Sequence, residues 1–165
     1  MSGTYTVVRT LGRADAAHEI LEELPEWFGI DRFTHEYVEA AAKFPNYVAL
    51  ADDAAGPDGA TIPADDVLGV LLLDQRYPTS AEVHLLAVRR KHHRAGVGRT
   101  LMARVEDDLR AQGVRLLSVK TFGSSSSEPG YDQTRAFYSA CGFHPVEEFP
   151  DLWADDPCLL MVKAL

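Results

Sequence analysis

The stretch His92–Leu101, HHRAGVGRTL, decides how the chain is read. Two glycines, Gly96 and Gly98, stand one residue apart among positive charges. The apolar run VHLLAV (Val83–Val88) precedes them and the segment RTLMARVEDDLRAQG (Arg99–Gly113) follows. In that segment Leu101, Val105 and Leu109 recur at helical spacing with Met102 beside them, and Gly113 fits the position just past a helix end. The spacing predicts a helix over Val97–Gln112. A strand, a glycine turn and a helix in that order form an anion-binding device. Glycine lets the backbone approach a ligand closely. The first N–H groups of the helix have no internal partner, and the helix dipole favours negative charge beside them.

Two familiar glycine loops fail on spelling. The Walker A loop, G-x-x-x-x-G-K-S/T, needs lysine where Arg99 stands and glycine where His93 stands. The dinucleotide fingerprint, G-x-G-x-x-G, accepts Gly96 and Gly98 but meets Leu101 at its third glycine. A nucleotide-binding P-loop domain is therefore disfavoured.

Charge supports a local anion site. The chain of 165 residues has a net charge of −9. Residues 1–88 hold fifteen Asp/Glu against five Lys/Arg, whereas residues 89–104 hold six cations (Arg89, Arg90, Lys91, Arg94, Arg99, Arg104) and no acid. A nucleic-acid binder usually carries positive charge over a whole face, so no nucleic-acid partner is expected. The longest apolar run, VLGVLLL (Val67–Leu73), has seven residues, well short of the ~18 that span a bilayer. MSGTYTVVRT lacks the apolar core of an export signal, so a cytoplasmic location and no membrane partner are expected. The two cysteines, Cys141 and Cys158, are expected reduced and buried, and no His or Cys stands at metal-ligand spacing from them.

The remaining pattern gives the order β-α-α-β-β-β-α-β-α-β-β over a single domain, 1–165. TYTVVRT is a strand; RADAAHEILEELPEWF is one helix stopped by Pro25; THEYVEAAAKF is a second helix capped by Thr34. NYVALADD, VLGVLLLDQ, AEVHLLAV and VRLLSVKTF are strands, the apolar second and third being covered on both faces. AAGPDGATIPADD and GSSSSEPG are loops. YDQTRAFYSACGF is a helix closed by Gly142, and HPVEEF and CLLMVKAL are strands separated by the turn-rich PDLWADDP. This mixture implies a layered α/β or α+β domain with a mixed sheet.

His93-Arg94-Ala95-Gly96-Val97-Gly98 resembles the signature Gln/Arg-x-x-Gly-x-Gly/Ala of the GNAT superfamily of acyl-CoA-dependent N-acetyltransferases, with His93 in place of Gln or Arg. AEVHLLAV is similar to the strand before that signature, and RAFYSACGF (Arg135–Phe143) to the family's F-Y-x-x-x-G-F segment. The resemblance covers nearly the whole chain and implies a single-domain fold with a mixed, mostly antiparallel sheet flanked by helices on both faces. It implies acetyl-CoA as cosubstrate, no metal, and transfer of acetyl to a primary amine of a small molecule or a protein. Backbone groups of Leu86, Ala87 and Val88 are expected to pair with the pantetheine arm, and amides from Arg94, Ala95, Gly96, Val97, Gly98 and Arg99 to hold the pyrophosphate. Homodimers are common in the family.

Acetyl transfer needs a deprotonated amine, donors for the oxyanion and a proton for the leaving thiolate. The resemblance implies Tyr138 as the acid, although many members carry Asn where Tyr131 stands, seven residues earlier. It implies Glu82 as the base, directly or through water. His84, two residues on and on the same strand face, is the alternative. The backbone N–H near Leu86 or Ala87 is implied as the oxyanion donor. Direct transfer is expected over a Cys141 acyl-enzyme, which has no adjacent base. Glu19, Glu22, Glu23, Glu26, Asp31, Glu36 and Glu39 are expected to attract a cationic amine, with Trp27, Phe28, Phe33, Tyr37, Phe44 and Tyr47 as candidate pocket walls. GSSSSEPGYDQT is a candidate cover for the acceptor. A catalytically silent acyl-CoA-binding regulatory module is the alternative function; it keeps ligand binding without needing Tyr138 and Glu82.

Overall fold

Eight consecutive residues of the run beginning VLGVLLLD, Val67–Asp74, are buried, so side chains on both faces of that strand are covered. The computed structural model describes residues 4–29, 31–54, 61–126, 128, 130–154 and 156–165. Its elements are β1 (Tyr5–Thr10), α1 (Ala14–Glu22), α2 (Pro25–Phe28), α3 (Asp31–Lys43), β2 (Asn46–Ala51), β3 (Val67–Tyr77), β4 (Ser80–Val88), α4 (Val97–Ala111), β5 (Leu116–Phe122), α5 (Tyr131–Ala140), β6 (His144–Trp153) and β7 (Asp156–Ala164). The strands form one seven-stranded sheet in the order β1-β2-β3-β4-β5-β7-β6. Pairing is antiparallel for β1–β2, β2–β3, β5–β7 and β6–β7, and parallel for β4–β5.

Two compact units are recognisable. In the first (Met1–Asp74 with His84–Asp108), Ile20, Leu21, Leu24 and Ala41 from the helices pack with Val48, Leu50, Val70, Leu72, Leu85 and Ala87 from the strands. The other face of β3 receives α4. A Cβ placed on Gly69 meets Val97 Cγ1 at 3.1 Å, the Ala87 carbonyl oxygen at 3.2 Å and Leu101 Cδ1 at 3.2 Å. Glycine at this point lets the start of α4 lie close over β3, beside the end of β4. The second unit (Gln75–Val83 with Leu109–Leu165) buries Val83, Leu117, Val119, Tyr138, Phe143, Cys158 and Met161. Among the described residues no helix is long and apolar enough to cross a membrane.

The predicted α4 stripe of Leu101, Met102, Val105 and Leu109 is buried. Gly113, at φ 79°, ends the helix, with Val114 N–H bonding Leu109 O and Gly113 N–H bonding Arg110 O. This six-to-one and five-to-two pair of bonds satisfies the last carbonyls. Gly142 closes α5 in the same way, at φ 92°.

Four expectations need correction. The first predicted helix is two: α1 stops at Glu22 and Pro25 opens α2. A proline ring inside a helix obstructs the carbonyl four residues back, whereas the first helical position needs no N–H. Thr34 does not cap α3, which starts at Asp31; its hydroxyl donates to Phe28 O at 2.9 Å. β6 continues through the first half of the predicted turn PDLWADDP to Trp153, and Ala154 turns the chain at φ 46°. Register shifts beside Pro145 and between Phe149 and Trp153 absorb the prolines of this edge strand. The strand predicted as AEVHLLAV is covered fully on one face only, with Glu82, His84, Leu86 and Val88 partly open. Met1–Gly3, the centre of the predicted loop at 55–60, and positions 127 and 129 of the serine loop lie outside the described residues.

Replacing Gly69 by valine is expected to lower the unfolding free energy by about 1–3 kcal/mol through overpacking. Chemical denaturation measures it; an unchanged midpoint would show that α4 is free to shift.

Candidate active site

In the first unit the strand end, the turn and the helix start are fastened into one piece. The ladder of β4 with β5 covers Ser80–Val83, and β4 continues past it to Val88. The chain then makes a short 3-10 turn at Arg90–His92 and enters two left-handed positions, Arg94 at φ 61° and Gly96 at φ 94°. A left-handed backbone is ordinary for glycine and strained for arginine, and such strain concentrates at functional turns. The helical ladder opens with Thr100 N–H to Gly96 O at 3.0 Å. The N–H groups of Val97, Gly98 and Arg99, in the first turn, therefore have no partner within the helix. The Thr100 hydroxyl also donates to Gly96 O, at 3.0 Å.

His93 holds the turn against the strand. Its Nε2 lies 2.8 Å from Val88 O. A carbonyl only accepts, so Nε2 carries the hydrogen. The edge of the same ring meets Trp27 of α2 at 5.7 Å. Where the signature has Gln or Arg, this chain has a side chain that ties the turn back to β4.

The cations divide into two sets. Arg89 is buried and donates to Val67 O at 2.7 Å, Ala64 O at 2.9 Å, Glu19 Oε2 at 2.9 Å and Glu23 Oε1. Arg90 reaches Glu23 O at 2.7 Å and Glu26 Oε2 at 2.6 Å. Arg104 pairs with Asp108 at 3.1 Å and donates to Val7 O. Among the described residues no ion pair engages Lys91, Arg94 or Arg99, all exposed. These three, not six, supply charge at the turn.

Three of the seven predicted acids are already matched by arginines. Glu19, Glu23 and Glu26 face arginines, while Glu22 and Glu39 each lie 3.4 Å from a histidine, His18 and His35. The side chain of Asp31 lies outside the described residues. Among the predicted pocket aromatics, Tyr47 is wholly buried, and burial pushes its hydroxyl up to about 12. Tyr37 and Phe44 instead pack T-shaped with the His84 ring, centroids 5.5 Å and 5.2 Å apart, and Phe28 packs the same way with Tyr37 at 5.8 Å.

The second unit carries the two candidate proton-transfer groups. Glu82 Oε2 is 2.5 Å from Lys120 Nζ, and the side chains are 19% and 29% exposed. Tyr138, near the end of α5, is buried between the ring edges of Phe137 at 5.4 Å and Phe143 at 5.6 Å. Cys158 is fully buried, and burial raises its thiol to about 11. Cys141 is only partly buried, and neither cysteine is in a disulfide. The serine loop is tied down by Ser125 to Glu148 at 2.5 Å and Ser126 to Asp156 at 2.8 Å. Lys120 and the Arg89 network went unread in the sequence. The available signal was a lone lysine in the apolar strand LLSVKTF.

A family model described as the acetyltransferase (GNAT) family matches residues 16–143. The chain belongs to the GNAT acetyltransferase family. Solved structures share the fold of this GNAT chain. A GNAT-family protein from Desulfovibrio desulfuricans has a TM-score of 0.75 at 21% identity, covering 98% of this chain and 99% of its own. The ribosomal-protein-S18-alanine N-acetyltransferase of Escherichia coli has a TM-score of 0.70 at 16% identity, with 98% and 94% covered. A GNAT family acetyltransferase from Elizabethkingia anophelis with acetyl-CoA bound has a TM-score of 0.69 at 15% identity, with 98% of each covered. A search of curated proteins gives no match.

Two outcomes test this geometry. A Cβ on Gly96 meets nothing within 4 Å, so Gly96→Ala should cost only the left-handed backbone term, about 1–2 kcal/mol. Asparagine tolerates that region better and should recover most of it in denaturant titrations. The second concerns acid. The hydrogen bond from Arg90 holds the Glu26 carboxyl down at about 2. A lowered folded-state value stabilises the fold above the ordinary carboxylate range and is lost as pH falls through the lowered value. The Tm difference between wild type and Glu26→Gln should be largest above about pH 5 and close by about pH 2.

Proposed function

We propose that the chain acts as one domain, 1–165, that transfers an acetyl group from acetyl-CoA to a primary amine. One observation carries the coenzyme assignment. A strand end, a left-handed glycine turn and the unpartnered first amides of a long helix form one fastened piece, with Lys91, Arg94 and Arg99 exposed around it. Amides of Arg94 and of Gly96 through Arg99 hold the pyrophosphate, favoured by the helix dipole, while that of Ala95 already donates to His92 O at 3.3 Å. The backbone of Leu86–Val88, beyond the β5 ladder, pairs with the pantetheine amides as an added strand pairs with an edge. Because Val88 O already accepts from His93, and Arg89 N–H bonding Leu68 O turns the backbone of Ala87, two residues earlier, toward β3 as well, Leu86 carries most of that pairing.

The chemistry follows the two groups of the second unit. An ammonium acceptor first loses a proton to Glu82, directly or through water. The freed lone pair attacks the thioester carbonyl carbon, and the oxyanion is met by a backbone N–H near Leu86 or Ala87. The C–S bond then breaks, Tyr138 gives its proton to the departing thiolate, and the new amide nitrogen loses its second proton to solvent. The products are an N-acetyl amine and free coenzyme A. A thiol held at about 11, as in Cys158, is a poor nucleophile near neutrality, which favours direct transfer over an acyl-enzyme there.

Thermal unfolding with acetyl-CoA, coenzyme A and ATP in parallel tests the coenzyme site. At about 100 times its Kd a ligand adds about 2.7 kcal/mol, a rise of several degrees. A rise with both coenzymes and not with ATP is expected; no rise at millimolar coenzyme overturns the assignment. Tyr138→Phe and Glu82→Gln should each lower kcat by about 10²–10⁴-fold with coenzyme Kd unchanged. Full activity in both variants would assign the chemistry to other groups.

A further inference from the structure

We propose that Lys120 is a positioning residue for Glu82, fixing the carboxylate that accepts the proton of the incoming amine. The inference rests on the acetyl-transfer function above and adds a residue to its machinery. The parallel register sets Glu82 of β4 beside Ser118 of β5, which puts Lys120 on the same face and one step along the diagonal. There its ammonium lies 2.5 Å from Glu82 Oε2. On the neighbouring β7, Cys158 lies close enough to feel both charges.

A mostly buried ammonium or carboxylate is costly alone, so each partner secures the other. Fold stability could be served by any apolar pair in this space. The ion pair does something an apolar pair does not: it engages one carboxylate oxygen and leaves Oε1 for a further donor. A carboxylate that rotated freely would offer either oxygen in many directions. Held at Oε2, it offers Oε1 in one. Misplacing a reacting group by about 1 Å costs on the order of 100-fold in rate.

The test is a double-mutant cycle on the full chain. Thiol release from acetyl-CoA is followed with spermidine, an amino-acid amide and a peptide with a free N-terminus as acceptors, alongside Tm and coenzyme Kd. Lys120→Met should lower kcat about 10–100-fold while coenzyme Kd stays within about twofold. Lys120→Arg, which keeps the charge, should recover most of the rate. Lys120→Met combined with Glu82→Gln should be no slower than Glu82→Gln alone, because both changes remove one function. Multiplicative losses in the double variant overturn the proposal, as does a Lys120→Met rate equal to wild type. Should Lys120→Met not fold, Lys120→Gln takes its place against Lys120→Arg, and equal rates in those two overturn it. An active wild type whose rate survives Glu82→Gln removes the role of Lys120 and leaves acetyl transfer standing. A wild type that neither binds acetyl-CoA nor releases thiol with any acceptor fails at the function itself, and the role of Lys120 falls with it.

Discussion

Arg89 follows β4 with a buried guanidinium that makes four hydrogen bonds at once, two to carbonyls and two to carboxylates. Its backbone N–H bonds Leu68 O as well, at 2.9 Å. These bonds draw the residues before β3, the start of β3 and helix α1 onto the point where the turn begins. Burial works against the charge, yet the two glutamates more than offset it, so the guanidinium is held more firmly protonated than usual. Charge-assisted bonds of this kind contribute about 1.5–3 kcal/mol each when made, and the buried donors are costly when their partners are lost. The turn can hold a left-handed arginine because its base is fixed in this way. His93 and Arg90 extend the same fastening outward, the first to Val88 O and Trp27, the second to Glu26.

The charge asymmetry along the sequence thus has a structural cause besides a functional one. Arg89 and Arg90, just after β4, meet Glu19, Glu23 and Glu26 of the acidic first half in space, and these charges offset one another. From sequence alone, a glutamate that attracts a substrate looks the same as one that pairs with an arginine sixty residues away. The separation of Glu23 and Arg89 is of that order, and nothing local marks the pair.

The fold was legible because its signals are local. Helix α4 announces itself by the spacing of Leu101, Val105 and Leu109 and by Gly113 at its end; β3 does so by an uninterrupted apolar run. The glycine turn was legible because Gly96 needs a positive φ that few other residues adopt. Where the reading slipped, a proline or a side-chain bond decided the outcome: Pro25 starts a helix instead of ending one, and Thr34 bonds the preceding helix. The candidate site was legible in its positions and not in its partners. Glu82 and Tyr138 were named, but their settings, a lysine on the next strand and two phenylalanine edges, depend on register and packing that spacing does not encode.

Cys158 has a bearing on redox chemistry. With its thiol held at about 11, only about one molecule in ten thousand is a thiolate at pH 7. Disulfide exchange proceeds through the thiolate, so Cys158 is nearly inert to it. Of the two cysteines, Cys158 is therefore the one that stays a reduced thiol beside other thiols and disulfides.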